Sequence, residues 1–144
     1  MIAALVIDPR YQRHLEQAVA SLMPIIWCTS LVDLLEHASQ ARMIIAEPFD
    51  SAGVPSAPTL ALIRHRQPDT AFLAYIGLTA PSARALRLMV LAGVTDVVIR
   101  DVDGAEVVLR QIVQYRITGD FMNARATVNS TAATPIFVEI RAAL

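Results

Sequence analysis

Four side chains with chemistry to offer stand at corresponding places in this sequence. Asp8, Glu47, Thr79 and Arg100 each close, or shortly follow, a short apolar run. Two carboxylates, a hydroxyl and a guanidinium brought to one place could bind a cation, bind a phosphate or neutralise one another. The remaining reactive groups are scattered. Cys28 ends another apolar run with no obvious histidine beside it and reads as a small buried hydrophobe. His14, His37 and His65 fall on three different helical segments without ligand spacing, so no metal site is expected. Neither GxGxxG nor GxxxxGK occurs, so no nucleotide loop, and no cofactor, is expected.

The elements that must position these groups are legible in the hydrophobic pattern. Residues 2–7 are apolar and stopped by Asp8-Pro9, which is the pattern of a strand buried on both faces. Residues 25–28, 43–46, 72–76 and 96–100 repeat it. Between the runs the period changes to that of a helix. Leu15, Val19, Leu22 and Met23 recur before Pro24, and Leu31, Leu34, Leu35 and Ala38 follow a cap at Thr29 or Ser30. Residues 48–58 are rich in turn formers and read as a loop, residues 59–66 as two helical turns, and Pro81 opens a helix carrying Leu86, Met89 and Val90. Gly93 ends that helix, and Asp103-Gly104 precedes the last, where Glu106, Arg110 and Gln114 share a polar face. Strict alternation of this kind predicts an α/β domain: a five-stranded parallel sheet, doubly wound, with helices on both faces because crossovers are right-handed. Such a sheet carries its working groups at the carboxyl ends of its strands, where the four residues fall.

At those strand ends the chain resembles the receiver domain of response regulators, in the stretches LVIDPR, MIIAEPF, IGLTA and AGVTDVVIRD. The resemblance covers residues 1–118 and includes the interval of seven residues from Gly93 to Arg100. It implies the flavodoxin-like (βα)5 topology, an acidic pair after the first strand, a phospho-accepting Asp after the third, a hydroxyl after the fourth and a Lys, then a Pro, after the fifth. Either Leu78 or Thr79 falls at the hydroxyl position, the loop being shortened or shifted by one residue. Four departures stand out. Pro9 replaces the second acid, Glu47 the acceptor, Arg100 the lysine and Asp101 the proline. Glu is one methylene longer than Asp, and misplacing a reacting group by about 1 Å costs on the order of a hundredfold. Arg keeps the charge of Lys but not its compact geometry. A magnesium site needs near-octahedral oxygen ligands, and one is lost.

The expectation is therefore a degenerate phospho-acceptor pocket of Asp8, Glu47, Thr79 and Arg100, with Glu47 and Arg100 either paired or both solvated, in a regulatory and protein-interaction module that is not an enzyme and is not phosphorylated. Two alternatives stay open: an atypical phospho-accepting receiver with weak magnesium binding, and a stand-alone α/β protein binding a small ligand at the strand ends. The last helix carries a broad apolar stripe, including Leu109, Ile112, Val113 and Tyr115, which suggests a second packing partner, a second copy in a homodimer or else the chain's own C-terminal tail. In the resembled family the fourth and fifth helices commonly dimerise, which agrees.

Composition bounds the rest. With 144 residues the chain is about one domain, able to bury roughly two thirds of its unfolded surface without a disulfide or metal. Net charge is -1, with 17% charged against 55% hydrophobic residues, which argues against disorder and against a bulk pull toward nucleic acid. A single cysteine fits the cytoplasm. No run reads as a signal peptide or a membrane span. Residues 119–135 are small, polar and aperiodic and read as a linker, while residues 136–144 read as a tail or the start of an output domain. The resemblance makes that output most often a DNA-binding domain; no direct nucleic-acid contact is expected of residues 1–118.

Overall fold

The computed structural model describes residues 1–118, and the expected linker and tail lie outside the described residues. In chain order the elements are β1 (Ile2–Leu5), α1 (Pro9–Val19), β2 (Ile25–Trp27), α2 (Leu31–His37), β3 (Met43–Ala46), α3 (Ala57–Arg66), β4 (Ala71–Ile76), α4 (Ala80–Leu91), β5 (Asp96–Ile99) and α5 (Ala105–Thr118), with one 3-10 turn at Ala38–Gln40. All neighbouring strands pair in parallel in the order β2-β1-β3-β4-β5, which is the expected doubly wound (βα)5 sheet.

Local chemistry sets the helix starts. Asp8 is extended and caps α1 by accepting the Arg10 N–H, with Pro9 in the first turn, where its missing N–H costs nothing. Ser30, one of the two expected caps, accepts the Asp33 N–H at the start of α2. Helix α1 stops at Val19, short of the expected Pro24, because the Leu22 and Met23 N–H groups both turn back to the Val19 carbonyl. Leu22 still packs on the core from that turn, and Met23 is buried in it, which is why they kept the helical spacing.

Alternate residues of each strand face opposite layers. Ala3, Leu5 and Ile44 pack under α2, α3 and α4, whereas Ile2, Ala4 and Ile45 pack under α1 and α5. Both faces are covered, so β1 and β3 are apolar at every position rather than at alternate ones.

The last helix departs from expectation. Leu109, Ile112 and Val113 are 0%, 2% and 0% exposed and sit in the layer shared with Leu15, Ala18 and Val19 of α1. Most of the apolar stripe is thus taken up within the chain, by the sheet on one side and α1 on the other, while Val107 stays 43% exposed. Arg110 ties the two helices further, donating to the Ala18 carbonyl at 3.0 Å. These three residues are core, and the expected subunit interface cannot be built on them. Tyr115 is half-buried beside the Arg116 guanidinium, 5.3 Å from its ring centroid.

At the amino edge of the sheet, Arg64 lies 3.9 Å over the Phe72 ring and donates to the carbonyls of Pro68, Thr70 and Gly93. Gly93 has φ +110°, and a Cβ there would lie 2.5 Å from Arg64 Nε. Glycine is thus required twice over, by backbone conformation and by space. It ends α4 in the register that sets the start of β5, and so the place of Arg100.

Candidate functional site

The carboxyl edge of the sheet is built from the ends of β3, β4 and β5 and the first turn of α1. Glu47 follows β3 and is 7% exposed. Its N–H donates to the Leu5 carbonyl at 3.0 Å, and its carbonyl accepts the Ser56 hydroxyl at 2.6 Å, so its backbone is held on both sides. Its Oε2 accepts the Ile7 N–H at 3.0 Å, and its Oε1 is paired with the Arg100 guanidinium.

Arg100 follows β5, its N–H donating to the Ile76 carbonyl at 2.9 Å. The guanidinium carbon lies 4.0 Å from the Tyr11 ring centroid and 5.8 Å from that of Tyr75. Two aromatic faces and one carboxylate therefore enclose the charge, which favours Arg, a weakly hydrated planar cation, over Lys. Its Nε is buried without a hydrogen-bond partner. Burial pushes the Tyr75 phenol up to about 12, so it stays neutral beside the pair.

Tyr11 in turn donates its hydroxyl to Asp101 at 2.7 Å, and the second Asp101 oxygen accepts the Leu78 N–H at 2.8 Å. Those two donors, Leu78 first, hold the Asp101 carboxyl below the usual carboxylate range. A depressed folded value means stability that is present above the unfolded pKa and is lost as pH falls through the folded one. Asp101→Asn is therefore expected to lose that contribution above about pH 4, a small one on this exposed residue, and to converge with the unaltered protein at lower pH, so that its acid limb is flatter. Melting temperatures of both proteins across that range check it.

Of the four expected pocket residues, the structure brings Glu47 and Arg100 into contact and gives the other two different work. The Asp8 carboxylate accepts from the Arg10 N–H at 2.9 Å and from the Arg10 guanidinium at 3.1 Å, and the latter bond leads in holding its pKa down. Thr79 caps α4, accepting the Ser82 N–H at 3.2 Å and donating to the Ser82 hydroxyl at 2.8 Å. It does not touch the pair. β4 ends at Ile76, opposite Ile99, so Gly77 rather than Leu78 or Thr79 stands against Arg100. A Cβ on Gly77 would lie 3.1 Å from Asp101 Oδ2 and 3.6 Å from Arg100 Nε.

Residues that sequence reasoning passed over are Tyr11, Tyr75 and Gly77. Tyr11 carried a signal, since it sits three residues after Asp8 at the start of the helix that leaves the same edge. Nothing in the sequence tied Tyr75 or Gly77 to Arg100. The sequence reading also set Cys28 apart from any histidine, which the structure corrects: Cys28, Asp33 and His37 present ligand atoms within 4.8 Å of one another. Folding α2 back over the end of β2 makes this meeting. Burial, with the nearby Asp33 charge, pushes the Cys28 thiol up to about 11, which rules against an activated nucleophile.

A magnesium ion bound in receiver fashion would need several convergent, free oxygen ligands. The residues here do not fit. Pro9 offers no side-chain oxygen, Asp8 is turned to Arg10, and both Glu47 oxygens already have donors.

No protein-family model matches the chain, and no curated protein does. Solved structures match strongly. The BeF3-activated receiver domain of DrrB superposes with a TM-score of 0.65 at 14% identity, covering 79% of this chain and 94% of that one. Against the whole DrrB response regulator of Thermotoga maritima, described as an OmpR/PhoB homolog, this chain covers 51% of the length. The chemotaxis protein CheY4 of Vibrio cholerae gives 0.61 at 14% identity, over 78% of this chain and 95% of that one. NtrX of Brucella abortus gives 0.65 at 9% identity, over 88% of this chain but 29% of NtrX. The fold is that of response-regulator receiver domains. No helix among the described residues is long and apolar enough to cross a membrane.

Proposed function

We propose that this chain is a receiver-fold regulatory module that works through protein contact and takes no phosphoryl group, as part of a bacterial signalling or transcriptional regulator in the cytoplasm. One observation carries the reading: the carboxylate following β3 is a buried Glu47 already neutralised by Arg100 and by the Ile7 N–H. An acceptor must present an open oxygen to an incoming phosphorus with a metal beside it. Glu47 does neither, and the guanidinium sits where added negative charge would otherwise seek a partner. The site is held in one charge-balanced state without an input at Glu47.

Output then depends on a surface. A homodimer is proposed with its seat on α4 rather than α5, where Leu88 and Leu91 are 54% and 76% exposed beside Arg84 and Arg87. The chain spans 51% of the DrrB response regulator and 29% of NtrX. The proposal keeps residues 119–135 as a linker and residues 136–144 as a tail or the start of an output domain.

The test is magnesium titration followed by a small phosphoryl donor, read by amide resonance shifts at Asp8, Glu47 and Arg100 and by intact mass. The expected result is no saturable shift up to about 10 mM magnesium and no mass gain. Saturable binding followed by donor-dependent gain of one phosphoryl group would make this an active, atypical receiver instead.

A further inference from the structure

The cluster at the end of β2 does not enter the function proposed above. Cys28 is 3% exposed and is positioned by its own backbone, whose N–H donates to the Ala4 carbonyl at 2.8 Å. Asp33 and His37 lie one turn apart on α2, on the same helix face, with side chains 28% and 34% exposed. Asp33 is doubly oriented. Its N–H is held by the Ser30 cap, and its Oδ2 accepts the Thr29 N–H at 3.1 Å. Its Oδ1 faces His37 Nδ1 at 3.2 Å, and that nitrogen also lies 2.9 Å from the Asp33 carbonyl.

We propose that Cys28, Asp33 and His37 form a site for a borderline-soft divalent ion, of which zinc is the type, with a fourth position open to water. The donor set decides the class. One sulfur, one imidazole and one carboxylate suit zinc or cobalt and suit neither magnesium nor calcium, which take oxygen. Tetrahedral zinc places such atoms roughly 3.3–3.7 Å apart, so ligand atoms already within 4.8 Å need to close by about 1 Å, within the reach of side-chain rotation. On binding, the thiol releases its proton to solvent as the sulfur–metal bond forms, and the ion takes over whichever His37 ring nitrogen it meets. If that nitrogen is Nδ1, its contact with the Asp33 carbonyl is exchanged for the metal. Two oriented ligands come from one helix and the third from a neighbouring strand end, so the ion would clamp α2 to the sheet edge. Three-residue β2 is that edge, paired among the described residues with β1 alone and half-buried along its length. The inference is independent of whether Glu47 accepts a phosphoryl group.

The experiment is a cobalt titration of the full 144-residue chain, reduced and stripped of metal, followed by zinc displacement. The expected result is one cobalt per chain with a thiolate-to-cobalt charge-transfer band, which only Cys28 can supply, since it is the sole cysteine. Zinc should bleach that band and raise the melting temperature by roughly 10 °C at free zinc a hundredfold above its dissociation constant. Cys28→Ser should abolish the band, and His37→Gln and Asp33→Asn should each weaken binding at least tenfold. His37→Gln alters a half-exposed helix end, and its melting in chelator shows whether the fold is intact. Absence of the charge-transfer band in the unaltered chain would overturn the proposal. So would a band of unchanged affinity in a folded His37→Gln.

Discussion

Replacing Arg100 with methionine is expected to lower the unfolding free energy by about 3–5 kcal/mol, the usual cost of stranding one member of a buried ion pair. The Glu47 side chain is 9% exposed and that of Arg100 20%, so most of the pair is out of water. After the substitution Glu47 keeps, among the described residues, only the Ile7 N–H as a side-chain partner and loses its ion-pair partner. The stacking of the guanidinium on Tyr11 is lost as well. Glu47→Gln should cost less, because a neutral amide keeps an acceptor for Ile7 and leaves behind the more exposed of the two charges. The double variant Glu47→Leu with Arg100→Met should recover most of the loss, since two apolar residues require no desolvation of charge. Urea unfolding of the three proteins makes the comparison, with the midpoint falling and the slope unchanged. A double variant no more stable than Arg100→Met alone would show that the two residues do not act as a pair.

Leu109→Ala is expected to cost about 3–4 kcal/mol and to leave the solution mass unchanged wherever the protein is folded. Leu109 is fully buried between the sheet and α1, and truncating such a leucine loses transfer free energy and leaves a cavity that rigid strands cannot close. The same substitution on a subunit interface would instead weaken association with little effect on the isolated chain. Leu91→Asp is the counterpart on α4. At 76% exposure it should shift stability by no more than about 0.5 kcal/mol and should dissociate a dimer seated there. Light scattering and urea unfolding on both variants separate the two roles. A dimer lost in folded Leu109→Ala and kept in Leu91→Asp would return the interface to α5.

The strand and helix order was legible because each element needs only local information. Strands buried on both faces are short runs such as MIIA, and helices between them carry their own start signals in Asp8, Ser30 and Thr79. The carboxyl-edge placement of Asp8, Glu47, Thr79 and Arg100 followed from the alternation itself. Their partners followed less directly, since the sequence leaves Glu47 and Arg100 either paired or solvated and says nothing of Arg10. A carboxylate at a strand end can turn inward, as Glu47 does, or cap the next helix, as Asp8 does, and the choice depends on which cation is nearer in space. Glu47 meets Arg100, 53 positions away, while Asp8 meets Arg10, two positions away.

The sequence by itself determined the class of fold, the edge at which the working groups lie and the absence of the second acid, because alternation, caps and residue identity are properties of neighbours along the chain. Only the tertiary structure decided that Glu47 and Arg100 are paired under Tyr11 rather than solvated, that most of the stripe on α5 packs on the sheet and α1, and that Cys28 lies near Asp33 and His37. Each of these is a contact between elements. The parallel crossovers and the twist of the sheet set which side chains meet there, and no short window of sequence carries that information.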